Sequence, residues 1–367
     1  MIRRPPRSTR KESSAASDVY KRQMMITIVK CFMELFQSIW QPLVFLLLSM
    51  AILVWGADRF VNSSSLLSKK LGINELTIGL TVVALGTSAP EIFVGISSIL
   101  NESESIAMGA IVGSNISNIA LIFGVACFGA SMKAKRTPSS QLIPVILSSV
   151  MLGIALYDLN ISFFESLIIF LILIYFMYVT FKNKSLDLLE EEQNFIGTSN
   201  LLILIYLVIG LLSLILGSKY AVVNAEKIAN ILNISELIIG LTIVAIGTSL
   251  PELAATVAAV LKKKTDMVVG NVIGSNVLNI VLVVPIIGFF SNAQFEASIL
   301  NRDYIIMMFA TFIFLLIVKT QSTARINIAS IKAIGFMLLL GYGLYICLLY
   351  TSPSPRDVEE SRMPSSA

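Results

Sequence analysis

Hydrophobic positions in this chain come in long blocks separated by short polar breaks. Pro42–Val54, Glu165–Phe181, Asn200–Leu216, Tyr304–Val318 and Ala333–Leu349 are the clearest. With flanking residues, each approaches or exceeds the roughly 17–25 residues that span a bilayer as a helix. One such block fits a buried core helix. Eight to ten in succession do not, because a soluble fold has no core large enough to hide them. The pattern predicts an all-α polytopic membrane protein in a lipid bilayer. It places five helices near 42–68, 75–100, 105–130, 141–158 and 162–182, and five more near 201–230, 236–261, 267–290, 303–319 and 330–349.

The polar residues inside these blocks repeat. Leu71–Glu91 (LGINELTIGLTVVALGTSAPE) matches Leu232–Glu252 (LNISELIIGLTIVAIGTSLPE). Gly109–Leu121 (GAIVGSNISNIAL) matches Gly270–Leu282 (GNVIGSNVLNIVL) at the same offset of 161, and 23 of the 51 positions from Leu71 to Leu121 are identical between copies. The identities include Gly, Thr, Ser, Pro, Glu and Asn in fixed order, so shared hydrophobicity does not explain them. Internal duplication of this kind is the usual build of secondary transporters. The domains expected are a first five-helix repeat at 42–182, a linker at 183–200 and a second five-helix repeat at 201–349. An odd helix number per half makes the repeats inverted, giving ten transmembrane helices in all.

Charge supports that count. Lys69, Lys70, Lys133, Lys135, Arg136, Lys182, Lys184, Lys262, Lys263, Lys264, Lys319, Arg325 and Lys332 fall in loops on one side. The intervening loops Asn101–Ser105, Tyr157–Asn160 and Ser291–Ala297 lack Lys and Arg, with Lys219, Lys227 and Arg302 as exceptions to the pattern. The positive-inside rule then puts the mid-chain linker in the cytoplasm and both native termini outside a cell inner membrane.

Composition narrows the chemistry. The chain is 56% hydrophobic and 14% charged, against about 25% charged for a soluble domain. Its net charge of +4 comes from scattered loop residues, with no basic stripe for nucleic acid. There is no histidine, which removes His-ligated zinc and His proton relays. Cys31, Cys127 and Cys347 stand alone among apolar residues and read as small buried hydrophobes. Residues 1–23 and 350–367 are polar and Pro/Ser-rich. They look like a non-native, adapter-derived extension and tail, with native translation starting at Met24 or Met25.

The chemistry lies in the duplicated motifs. Gly86-Thr87-Ser88-Ala89-Pro90-Glu91 and Gly247-Thr248-Ser249-Leu250-Pro251-Glu252 both sit inside apolar helices. Proline frees a backbone carbonyl one turn earlier. Such a carbonyl is tolerated at membrane depth only where protein or a wet cavity satisfies it. Thr87, Ser88, Thr248 and Ser249 add hydroxyls, and Glu91 and Glu252 add carboxylates. Hard oxygens of this kind suit calcium and sodium. A membrane-buried carboxylate is costly unless paired, and neither glutamate has Lys or Arg within a turn. The bland alternatives are a protonated glutamate bonded to a neighbouring helix, and hydroxyls bonded back to their own helix. In the second motif pair, Ser114 with Asn118 and Ser275 with Asn279 are four residues apart and share a helix face. Asn115 and Asn276 point elsewhere and read as glue between helices.

These paired GTSxPE and GSNxxN motifs resemble the alpha repeats of the sodium/calcium exchanger superfamily, in its prokaryotic potassium-dependent-type branch. The likeness covers about residues 42–349. It implies four central helices, here 75–100, 105–130, 236–261 and 267–290, with helices 42–68 and 201–230 sliding across them. It implies calcium ligation by Glu91 and Glu252. It adds Thr87, Ser88, Thr248, Ser249, Ser114 and Ser275 as ligands for calcium or sodium, with the backbone oxygens of Ala84 and Ala245. Asn118 and Asn279 complete the set. Many relatives carry aspartate at one of those last two positions, and here both are asparagine. The expected activity is calcium/cation antiport by alternating access. Sodium is the favoured counter-ion, protons the alternative, and potassium a possible third partner. No cofactor is expected. A passive calcium channel is a rival reading, but inverted repeats with broken helices favour alternating access. An intramembrane hydrolase using Ser88 or Ser249 would lack a base, so the chain is expected not to be an enzyme.

Overall fold

The computed structural model describes residues 9–101, 104–129, 137–182, 199–232, 245–291, 293–321 and 327–351. Most of the linker expected at 183–200, the start of the helix expected at 236–261, and the basic residues Lys133, Lys135, Arg136, Lys184 and Arg325 lie outside them. In chain order the helices are α1 (Thr9–Leu71), α2 (Glu75–Thr87), α3 (Ala89–Leu100), α4 (Glu104–Gly129), α5 (Ser139–Ala155) and α6 (Phe163–Lys182). They continue as α7 (Asn200–Ile231), α8 (Ala245–Thr248), α9 (Leu250–Leu261), α10 (Thr265–Phe290), α11 (Ile299–Thr320) and α12 (Ile328–Thr351). Among the described residues, seven helices are long and apolar enough to cross a membrane, or eight if the bent pair α2–α3 counts as one span; α5 and α9 are shorter apolar helices.

Helix ends follow local chemistry. α1 stops where Gly72 takes φ 63°, and the Ile73 N–H reaches back to the Ser68 carbonyl at 2.9 Å. This is the left-handed cap that glycine supplies without steric cost. Asn74 then caps α2, its side chain accepting from the Thr77 N–H at 2.7 Å. Ser162 and Glu165 exchange side-chain-to-backbone bonds at the start of α6, a capping box. α1 begins far earlier than expected, at Thr9 instead of residue 42. Nothing between Thr9 and Gln41 breaks a helix, and Pro42 is carried inside it.

Burial separates centre from periphery. The apolar windows of α4 and α10 are each 78% buried, against 22% for α1 and 28% for α12. α10 packs on α2, α3, α4, α5, α6 and α9, so it is the axle of the fold. Glycine makes the tightest crossing possible: a Cβ on Gly79 would lie 2.6 Å from the Met267 carbonyl oxygen, and one on Gly274 2.6 Å from that of Leu80. On the periphery the large side chains point outward, among them Leu47, Val54, Phe164, Ile174, Met337 and Leu340. That inversion of the soluble pattern is what lipid requires. Cys127 is buried as expected, but Cys347 is exposed on α12, and the Cys31 side chain lies outside the described residues.

α1 and α7 pack on each other along a glycine seam of Gly56, Gly210 and Gly217, where helix backbones meet. At one end of the molecule, Lys262 pairs with Asp58 of α1 at 2.6 Å. Lys264 reaches Glu75 and Ser65 there, both at 2.6 Å. At the other end of α10, Ser291 donates to Glu104 at 2.6 Å, and the Phe295 N–H donates to the Leu159 carbonyl at 2.8 Å. The loops poor in Lys and Arg therefore meet at one end, and Lys262 and Lys264 sit at the other. Arg302, out of pattern in the sequence, is neutralised by its neighbour Asp303 at 2.8 Å.

Candidate cation site

Both GTSxPE motifs interrupt a helix. α2 ends at Thr87, Ser88 forms a turn, and α3 begins at Ala89, with a bend of 51°. Ser249 forms the equivalent turn between α8 and α9. The glutamates follow at once, in the first turns of α3 and α9. The unpaired N–H groups and positive dipole end of a helix favour a carboxylate there. Proline's missing donor can be followed directly. Pro251 leaves the Gly247 carbonyl without its helical partner, and Ser218 of α7 donates to that carbonyl at 2.9 Å.

The breaks bring the halves together. Glu91 and Glu252 are buried, at 9% and 1% exposure, and lie within electrostatic reach of each other, with the Ser88 and Thr87 hydroxyls beside Glu252. Ser114, Asn118, Ser275 and Asn279 are buried on α4 and α10, the helices that flank the breaks. Several of these polar atoms have no hydrogen-bond partner: both Glu252 oxygens, Glu91 Oε2, Ser88 Oγ, Ser275 Oγ and both polar atoms of Asn279. An orphaned buried polar atom costs about 1–3 kcal/mol. The oxygens among them, both of Glu252, Glu91 Oε2, Ser88 Oγ, Ser275 Oγ and Asn279 Oδ1, are unfavourable unpaired in a dry interior and are of the kind a hard cation takes. Among the described residues no three His, Cys, Asp or Glu side chains gather. Among the described residues, Glu91 and Glu252 are the buried charged side chains.

Not every expected ligand is equivalent. Thr87 is fully buried, whereas its counterpart Thr248 is exposed. Ser249 is bonded to Ser117 of α4 at 2.9 Å. Asn115 donates to the Asn276 carbonyl at 3.3 Å and lies 3.8 Å from Met307 Sδ, joining α4 to α10 and α11, the gluing role its position suggested. Sequence reasoning missed Ser117, Ser218, Thr256 and Asn271. The available signal was asymmetry: where the second copy has Thr256 and Asn271, the first has Gly95 and Ala110. π-helical turns at Gly79–Val83 and Asn118–Phe123 lie beside the breaks, a distortion frequent at functional sites.

Apolar helices packed around buried carboxylates and hydroxyls are the build of a polytopic membrane transporter. The chain belongs to the sodium/calcium exchanger family, whose model ("Sodium/calcium exchanger protein") matches residues 41–182 and 202–351. It is 33% identical over 315 residues to the inner membrane protein YrbG of Escherichia coli, covering 83% of this chain and 95% of that one. It is 35% identical to the putative antiporter CaxA of Alkalimonas amylolytica, covering 84% and 98%. It is 30% identical to the sodium/calcium exchanger MaX1 of Methanosarcina acetivorans, covering 83% and 97%. Among solved structures it resembles the sodium-calcium exchanger NCX_Mj soaked with sodium and strontium, at TM-score 0.68 and 29% identity, covering 85% of this chain and 99% of that one.

Proposed function

We propose that this protein exchanges calcium for sodium across a cell inner membrane by alternating access. Ten membrane crossings would form two inverted five-helix repeats. The observation that carries the reading is the facing pair Glu91 and Glu252 among orphaned oxygens. Two carboxylates balance one divalent ion, and the duplicated Thr, Ser and Asn oxygens complete its shell or hold sodium in its place. Support comes also from relatives named as an exchanger and a putative antiporter. The glycine seam makes α1 and α7 a paired unit suited to slide over the core. Asn118 and Asn279 supply no third charge, which argues against a potassium site on the pattern of the potassium-dependent branch.

Proton coupling is the second reading, favoured by two carboxyls close enough for a shared proton to relieve their repulsion. Calcium flux in sealed vesicles under separate sodium, potassium and proton gradients tests both. Uptake driven by sodium alone supports the first reading, and uptake driven only by protons replaces it with the second. Calcium equilibration without any counter-ion would make the protein a channel.

A further inference from the structure

The unassigned polar residues beside the site form a connected set. Thr87 Oγ1 donates to Asn271 Oδ1 at 3.3 Å, and Asn271 Nδ2 donates to Thr256 Oγ1 at 3.5 Å. All three residues are buried, at 0%, 3% and 1% exposure. They belong to α2, α10 and α9, so the chain of bonds ties three helices together. Thr256 lies four residues after Glu252 on one face of α9.

We propose that Asn271 is a positioning residue that orients the Thr87 hydroxyl for the transported cation, and that it does so in one half of the site only. The proposal rests on the reading of Thr87 as a cation ligand. A threonine hydroxyl has one proton and two lone pairs. Asn271 takes the proton, so the lone pairs are held facing away from Asn271 and are available to a cation. Thr256 fixes the amide in the orientation that presents Oδ1, and not Nδ2, to Thr87. Without Thr256 the amide could turn over and offer a donor, which would compete with the cation for the Thr87 oxygen.

The duplication makes the device one-sided. Asn271 corresponds to Ala110 and Thr256 to Gly95, neither of which has a side chain able to hydrogen-bond. Thr248, which would need the matching support, is exposed. The directly liganding motifs are duplicated, but this supporting layer is not. The two halves therefore differ in this layer: Thr87 is held by Asn271, while the positions that would hold Thr248 in the same way are Ala110 and Gly95.

The test uses the full chain, purified in detergent and in proteoliposomes, with calcium as probe. Asn271→Leu and Thr256→Val remove the bonds with little change of shape. Loss of a supporting partner of a metal ligand costs about 10–100-fold in affinity. Each variant is expected to raise half-saturating calcium about tenfold, in uptake and in the calcium-induced rise of unfolding temperature, by more than it lowers the maximal rate. Thr256→Ser, which keeps the hydroxyl, is expected to recover most of the affinity. Combining Thr87→Val with Thr256→Val should cost little more than Thr87→Val alone, because both act through one oxygen. Additive costs, or failure of the serine variant to recover affinity, would overturn the proposal. Glu252→Gln in the same assays separates the two readings. If it abolishes the calcium-induced shift while Asn271→Leu and Thr256→Val stay at wild type, the positioning role is wrong and the site is right. If Glu252→Gln keeps the full shift, the site itself is wrong.

Discussion

A carboxylate held at 1% exposure among aliphatic helices needs a counter-charge, and the charge that acts on Glu252 is another carboxylate, Glu91. That repulsion is the residue-scale reason to place a divalent cation between Glu91 and Glu252. Glu91→Gln and Glu252→Gln keep the shape and remove one charge each. A unit-charge interaction at about 4 Å is worth about 4 kcal/mol at an effective dielectric of about 20, and competing solvation recovers part of it. Calcium affinity should therefore fall roughly a hundredfold in either variant, read by calcium-dependent uptake into proteoliposomes. Glu296→Gln, at an exposed position, should transport like the parent. Wild-type affinity in either site variant would remove the glutamates from the site. The candidate ligands were legible because each motif appears twice, and duplication stands out against a hydrophobic background. Asn271, Thr256, Ser117 and Ser218 were not legible, because a residue present in one copy only looks like drift. Their partners, a hydroxyl on α2, an asparagine on α10, a serine turn before α9 and a proline-freed carbonyl, come together only in three dimensions.

Helices were legible from hydropathy in their centres and not at their ends. Sliding averages see the apolar middle, while ends are set by single residues such as Gly72 and Asn74. The resemblance implied that helices 42–68 and 201–230 slide across the core, and the contact between α1 and α7 was not foreseen. Its physical cause is the glycine seam, in which Gly56 and Gly217 are also 161 residues apart. In a bilayer, helices gain little from hydrophobicity when they meet, so close backbone approach matters more. A Cβ at Gly217 would fall 2.8 Å from the Leu53 nitrogen and 2.9 Å from its Cα. Backbone atoms cannot rotate away as a side chain can, so the helices would have to part. Gly217→Leu should destabilise the folded protein by about 1–3 kcal/mol, the usual cost of overpacking, seen as a fall of several degrees in unfolding temperature. Gly341→Ala is the control: nothing lies within 4 Å of the added carbon, and alanine is the better helix former. That variant should unfold at or above the parental temperature. Equal losses in both would show that the seam carries no special packing.

For the molecule as a whole, the sequence showed where the loops divide. The Lys- and Arg-poor loops do gather at one end of α10, and Lys262 and Lys264 lie at the other. Which end faces the cytoplasm follows from charge bias alone. A single cysteine at Gln193, in the linker between the repeats, should react with an impermeant thiol reagent only after the cytoplasmic side is opened. Reaction in intact cells would reverse the orientation. Orientation matters less to coupling than charge does. In the proposed ion site, with Asn118 and Asn279 neutral, the described residues supply two fixed negative charges, those of Glu91 and Glu252. One calcium neutralises them, and so do two sodium ions. With neither bound, two bare carboxylates would face the apolar surfaces of α1 and α7 during any sliding step, at a cost of several kcal/mol per charge. The unloaded protein should then rarely change sides, which makes exchange obligatory. A 2:1 exchange would be electrically silent. A third sodium held by hydroxyl and carbonyl oxygens would make it electrogenic, and the duplicated Thr and Ser residues leave room for one. Asn279→Asp would add a third charge, so apparent calcium affinity and proton sensitivity should change together. Vesicles loaded with calcium and diluted into buffer free of sodium, potassium and calcium provide the direct test. At a pH high enough to keep the glutamates ionised, calcium should stay inside, and adding sodium outside should release it. Rapid loss before sodium is added, with the pH gradient intact, would mean that the empty site crosses freely and that charge balance does not govern the cycle.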